Sequence, residues 1–221
     1  MDKKKIIKIV LLILLIALVL FVANIIRKMI IIKDINEKVS KYMNNDNHYE
    51  KIVSDYGESK TTTDYYCKGD KAVMFLKTTT NKTEEEKKLT QYFNGEKCNS
   101  YIEAGTTKIA MLNSNGIPSK VLVWGIDYDN NFWNLFYLAL TTPIKSVEYN
   151  GKECYLLDSP VCRNAYIEKE TGLTLKAIDG QIDDALGNKQ DIVVEYEYNF
   201  NDVDDSIFTE PDITEYEVKQ N

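Results

Sequence analysis

The residues with the widest chemical repertoire in this chain are one histidine, His48, and four cysteines, Cys67, Cys98, Cys154 and Cys162. A single imidazole makes neither a Ser-His-Asp triad nor a four-ligand zinc site by itself. His48 follows Asn44-Asn45-Asp46-Asn47, a setting that marks a solvated loop residue. The cysteines lack the Cys-x-x-Cys spacing of zinc ribbons and redox motifs, which points to structural roles. Two acidic stretches invite a calcium reading, one with Asp179, Asp183 and Asp184, the other with Asp202, Asp204 and Asp205. Neither has glycine at the sixth and a bidentate glutamate at the twelfth place of a calcium loop, so both read as solvated surface. No motif singles out a pair of carboxylates for glycoside chemistry. The sequence thus predicts no catalytic residue, no metal site and no cofactor, and the chain is read as a non-enzyme.

Cys154 and Cys162 flank a hairpin read as Glu153–Leu157, a turn at Asp158-Ser159-Pro160, and Val161–Ile167. Centred on Asp158, that hairpin sets 154 opposite 162 at a spacing a disulfide can use. Closing the loop would contribute about 2–3 kcal/mol. Spacing alone does not fix connectivity, and buried thiols are the alternative. Cys67 and Cys98 sit at strand ends and meet only if the sheet curls enough to join non-adjacent strands.

The elements that must position these residues begin with an apolar run. Every residue from Ile9 to Ala23 is apolar, and Ile6–Ile7 and Ile25–Ile26 extend the stretch. As a helix, 6–26 covers roughly 31 Å, the hydrocarbon thickness of a bilayer. A cleaved signal peptide would need a small residue where Phe21 stands, so the run is read as an uncleaved anchor. Lys3, Lys4, Lys5 and Lys8 precede it and Arg27, Lys28 and Lys33 follow. That small excess leans towards a cytoplasmic amino terminus and an outer carboxy-terminal domain. Residues 1–33 hold seven of the chain's 27 basic groups and one of its 34 acids, which leaves a net charge of −13 on the remainder. Such a domain repels nucleic acid.

Beyond the anchor, Ile32, Ile35, Val39 and Tyr42 recur at helical spacing and predict an amphipathic helix packed on its own domain. The period then changes to two. Tyr49–Tyr56 reads as a short helix or a first strand, with the alternation of Tyr49, Lys51 and Val53 favouring strand. Further strands are predicted at Thr61–Cys67, Ala72–Thr79, Leu89–Phe93, Lys97–Glu103 and Thr107–Leu112, an antiparallel meander with Gly-Asp and Asn-Gly turns. Val121–Leu140 is the most apolar part of the outer domain and holds both tryptophans. Asp129 is placed to cap a helix whose Phe132, Trp133, Phe136, Tyr137 and Leu140 share a face. The stripe is read as core against the sheet. The sharper reading makes Trp124, Phe132, Trp133, Phe136, Tyr137 and Leu140 the wall of a hydrophobic ligand cavity. Strands resume at Ile144–Tyr149, an Asn150-Gly151 type I′ turn, Glu153–Leu157, Val161–Ile167 and Leu173–Ile178. A polar loop at 179–190, a final strand at Ile192–Phe200 and an acidic tail along the domain edge complete the chain. The organisation is a basic tail at 1–5, a transmembrane helix at 6–26, a juxtamembrane helix at 27–47 and a β-rich domain at 48–221.

Three stretches carry a resemblance. The run from Tyr166 through Glu170-Thr171-Gly172-Leu173 to Lys176 resembles the Thr-Gly-Leu hairpin of the LolA/LolB-like lipoprotein-carrier family. Asn199-Phe200-Asn201 through Asp204-Asp205 to Phe208 is similar to that family's closing strand. Tyr65-Tyr66 with Gly69-Asp70-Lys71, and Tyr92-Phe93-Asn94-Gly95, stand where the family has its first hairpins. Tyr166, Glu168 and Thr174 replace the family's Trp, Asp and Pro, and the carriers' cavity arginine has no counterpart. The resemblance implies an α+β fold, a curved antiparallel half-barrel with helices on its concave side. It also implies an extracytoplasmic binding protein for an acyl chain, a lipoprotein or an apolar peptide, held to membrane lipid by its anchor. The alternative is an envelope signalling or scaffolding module that docks a protein partner, since one fold hosts many functions.

Overall fold

The computed structural model describes residues 3–42, 45–80, 86–95, 97–115, 130–158, 163–183 and 189–220. Its first element is one unbroken helix, α1 (Lys3–Val39). Neither glycine nor proline interrupts it. Side chains from Lys3 to Asn24 are exposed, and this part is long and apolar enough to cross a membrane. From Ile25 onward the helix changes partner: Ile25, Ile32, Ile35 and Val39 are buried against the rest of the chain. The same rod is therefore both a candidate membrane span and a core element.

The remainder is α+β, built on one large, open, curved sheet. In chain order its strands are β1 (Asn47–Asp55), β2 (Ser59–Lys68), β3 (Lys71–Thr80), β4 (Glu86–Asn94), β5 (Lys97–Ala104), β6 (Thr107–Asn115), β7 (Ile144–Tyr149), β8 (Lys152–Leu157), β9 (Arg163–Glu168), β10 (Thr174–Asp183), β11 (Lys189–Asn199) and β12 (Glu217–Gln220). The spatial order is β12-β6-β5-β4-β3-β2-β1-β11-β10-β9-β8-β7, and the sheet does not close. Every pairing is antiparallel except β12 with β6, which is parallel. The one other α-helix among the described residues, α2 (Phe132–Thr141), lies between β6 and β7 in the chain. Asn150 and Gly151 both take positive φ between β7 and β8, the type I′ geometry that the dipeptide predicts.

The sheet has two differently covered halves. Over β7–β11, α1 and α2 cover one face. Ile32, Ile35 and Val39 meet Leu135, Leu138 and Ala139 above Ile144, Leu157, Ala165, Ile167 and Ala177. The Thr171-Gly172-Leu173 turn clamps α1 there. Gly172 takes φ +75°, and a Cβ on it would stand 2.8 Å from the Ile35 carbonyl oxygen. Lys38 donates to the Lys169 carbonyl at 2.6 Å beside it. Over β1–β5, the opposite face is covered by the carboxy-terminal tail. There Tyr49, Tyr66, Phe75, Tyr92, Tyr101 and Tyr216 form a ladder of rings with centroids 4.6–6.4 Å apart. The tail is tied across it by polar groups. Tyr101 donates to Glu210, Tyr216 to Glu103 at 2.6 Å, and Lys68 to the Val203 carbonyl at 2.8 Å.

Several expectations need correction. Residues 179–183 and 189–190 belong to β10 and β11 rather than to a loop. Gln181 and Arg163 both donate to Asp191 there, so polar pairing extends the hairpin where apolar alternation stops. The β8–β9 hairpin is not centred on Asp158. Leu157 pairs with Ala165 and Cys154 stands opposite Glu168, a register whose centre lies beyond Asp158, the residue whose N–H donates to the Pro143 carbonyl. Cys154 is a buried free thiol and Cys162 lies outside the described residues, so the 154–162 pairing has lost its geometric basis. Cys67 and Cys98 are separate buried thiols on β2 and β5. The tail reaches the sheet edge only at β12, having first crossed a face.

Candidate binding site

β11 supplies the site because its two neighbours part company along it. Its register with β10 starts at Lys176↔Glu195, while its register with β1 continues to Tyr49↔Asn199. The β9–β10 turn stands away from this end of β11, and between them opens a slot of about 560 Å³. Its inner wall is Tyr196, Tyr198, Phe200, Leu173 and Leu175. Alternation along β11 puts three aromatic side chains on one face. Tyr196 and Tyr198 stack at 6.2 Å and Tyr198 and Phe200 at 6.3 Å, with nearly parallel planes. The mouth carries both signs of charge, with Lys51 and Lys152 against Glu168, Glu170, Glu195 and Glu197. Lys176, bonded to Glu195 at 3.0 Å, and Lys152, bonded to Glu168 at 2.9 Å, fix these carboxylates in place. The Lys176 and Tyr149 hydrogen bonds hold Glu195 below the usual carboxylate range.

Behind Tyr198 lies a buried polar cluster. Glu50 is directly opposite Tyr198 on one side and Tyr65 on the other, and His48 is opposite Cys67. His48 and Glu50 are both 0% exposed. Both carboxyl oxygens of Glu50 and the Tyr198 hydroxyl have no hydrogen-bond partner among the described residues, while His48 lies against the Asn45 backbone and the Tyr65 hydroxyl beside the Cys67 thiol. Burial sets their protonation. It pushes Glu50 up to about 8, so the carboxyl is neutral and able to donate at pH 7. It lowers His48, which is neutral too, and raises Tyr198 and Tyr65 well above an ordinary phenol. A thiol, an imidazole and a carboxyl thus stand on neighbouring strands, yet desolvation opposes the thiolate–imidazolium pair that nucleophilic chemistry needs. The cluster is a set of neutral polar side chains packed in a low-dielectric interior.

The ligand wall expected from the sequence is placed differently. Phe132, Trp133, Tyr137 and Leu140 do share a face of α2, but it points outward, with exposures of 60, 73, 61 and 45%. Leu135, Leu138 and Ala139 face the sheet, and α1 fills the space beneath them; Phe136 is half-buried at the edge of that packing. The helix is capped by Asn131, whose side chain accepts from the Asn134 N–H, rather than by Asp129. Trp124 and Asp129 lie outside the described residues. His48 is no loop residue; β1 begins at Asn47 and turns it inward. The signal for Glu50 was present as parity, because 48, 50 and 52 share a strand face, but glutamate is rarely buried.

The acidic stretch at 202–205 has structural work. Asp202 accepts from Asn47, Asp204 caps the 3₁₀ turn at 205–208 through the Ser206 N–H, and Asp205 pairs with Lys68 at 3.3 Å. Among the described residues no three His, Cys, Asp or Glu side chains gather as metal ligands would.

No family model matches the chain, and neither does any curated protein. Among solved structures it is similar to MucB, in the crystal structure of MucB in complex with MucA(peri). The TM-score is 0.30 and the identity 10%, over 76% of this chain and 55% of that one. The chain therefore spans about half the length of the MucB chain, and a likeness this distant carries no functional argument.

Proposed function

We propose that this chain is a single-pass, membrane-anchored, extracytoplasmic binding module of LolA-like type that docks a protein partner and performs no catalysis. The observation that carries the reading is the slot between β11 and the β9–β10 turn. Its aromatic inner wall and mixed-charge mouth suit an extended peptide segment with one apolar side chain. Space for an acyl chain beneath α2 is taken by Ile32, Ile35 and Val39 of α1, which favours docking over carriage. Carriage of a hydrophobic group remains the second reading, with Tyr196, Tyr198 and Phe200 as its contacts.

The test uses the full chain in membranes, with a photo-crosslinking amino acid in place of Tyr196 and, as control, in place of Lys145 on β7. Docking predicts a discrete protein adduct from position 196 and none from 145. Uptake of a fluorescent fatty acid by the purified chain, abolished by Tyr198→Ala, would favour the carrier. Protection of an amino-terminal tag, but not a carboxy-terminal one, from protease outside the cell checks the orientation.

A further inference from the structure

We propose that α2 is a second membrane contact. Its outward face lies in the bilayer interface beside α1, so that the domain is fixed on the lipid surface and does not swing from a tether. This rests on reading α1 as a membrane span.

Two contacts set the geometry. Lys28 donates to the Ala139 carbonyl at 3.1 Å, and Asn36 donates to the Asn130 side chain at 2.9 Å. The two helices therefore run antiparallel, with the carboxy-terminal end of α2 level with Lys28. That residue is two positions past Ile26, the end of the apolar run, or about 3 Å along the axis. Leu140 and Tyr137 then stand within about one turn of the hydrocarbon edge, and Trp133 and Phe132 roughly 10 Å farther out. Exposed Ile26 and Ile30 extend the apolar surface of α1 through the same zone. Tyrosine and leucine settle at this depth, and Trp133 and Phe132 stand at the outer margin of the headgroup layer.

The end of α2 suits the same placement. A helix terminus near lipid must satisfy its last carbonyls internally, because water is scarce there. The Tyr137 carbonyl accepts from the Thr141 hydroxyl at 2.9 Å, the Leu138 carbonyl from the Thr142 N–H at 2.8 Å, and the Ala139 carbonyl from Lys28. The occupant of this face is a phospholipid headgroup layer, continuous with the lipid around α1.

The chain has two tryptophans, so depth can be read directly. In full-length chain in phosphatidylcholine nanodiscs, Trp124→Phe leaves the indole at 133, and Trp124→Phe with Trp133→Phe and Tyr137→Trp leaves one at 137. Positions 133 and 137 are both off the core face of α2. Lipids brominated near the headgroup should lower emission from position 137 at least twofold and from 133 by less, with 137 shielded from aqueous acrylamide and 133 shielded in part. Free quenching by acrylamide with no effect of brominated lipid would overturn the proposal. So would shielding from both quenchers, which would mean that protein covers the face. Release of the chain from membranes by alkaline wash would overturn the span as well, whereas a retained chain with α2 in water would overturn this proposal alone.

Discussion

The two halves of the sheet are stabilised by opposite means. Over β7–β11 the cover is helical and dry, an aliphatic layer from α1 and α2 with the Gly172 turn pressed on the Ile35 carbonyl. Over β1–β5 the cover on the other face is an irregular tail, held by tyrosine hydroxyls and lysines on a ladder of rings. Aliphatic burial is non-directional and strong per residue; each tail hydrogen bond is directional and has a charged, partly solvated partner. The helical half should thus be the rigid one, and it is the half joined to the apolar run of α1. The binding slot and the buried Glu50 cluster lie on β11 and β1, where the two halves join.

The sharpest break is Gly172→Val. A branched side chain at φ +75°, with backbone oxygen 2.8 Å from its Cβ, should cost about 3 kcal/mol or more and detach α1 from the sheet. Chemical denaturation in detergent reads the loss. Ile35→Ala should cost nearly as much, about 3 kcal/mol, through its cavity.

Next is Glu50, at the seam. Folded Glu50 keeps its proton up to about 8, whereas the unfolded carboxyl loses it near 4.5. In that window the unfolded state binds fewer protons, so this group makes stability fall as pH rises; below the window it has no effect, and above it the loss is complete. The slope is about 1.4 kcal/mol per pH unit, or roughly 2–3 kcal/mol between pH 6 and 8. Glu50→Gln should remove that slope, and denaturation at both pH values compares the two proteins directly. His48 acts in the opposite sense, because its lowered pKa weakens the fold as pH falls through 6.5.

On the tail side the effects are smaller. Tyr101→Phe removes the hydroxyl that Glu210 accepts and should cost about 1 kcal/mol, seen as faster hydrogen exchange at β12 with β7–β11 unchanged. Lys108→Ala breaks an exposed pair with Glu215 and should change no measured stability.

The long apolar helix, the Ile32/Ile35/Val39 stripe and the meander with its Asn-Gly turns could be read from the sequence because each is a local period or a turn requirement. The direction of α2 could not. Its outward residues are as apolar as Leu135, Leu138 and Ala139, so no moment separates the faces; only neighbours distant in sequence do. The slot was hidden for a related reason. It depends on where β10 leaves β11, a register fact that no local pattern encodes. Glu50 and His48 had the parity of an inward face, but their polarity argued against burial until β2 and β11 closed on both sides.

Beyond the apolar run, α1 is core of the domain and no flexible stalk. Hydrogen exchange on the full chain in nanodiscs tests it directly at the amides from Lys33 to Val39. These should exchange as slowly as Ile167 and Leu175 and lose protection together with them in Gly172→Val. Fast exchange at Lys33–Val39 beside a protected β9–β10 hairpin would contradict it.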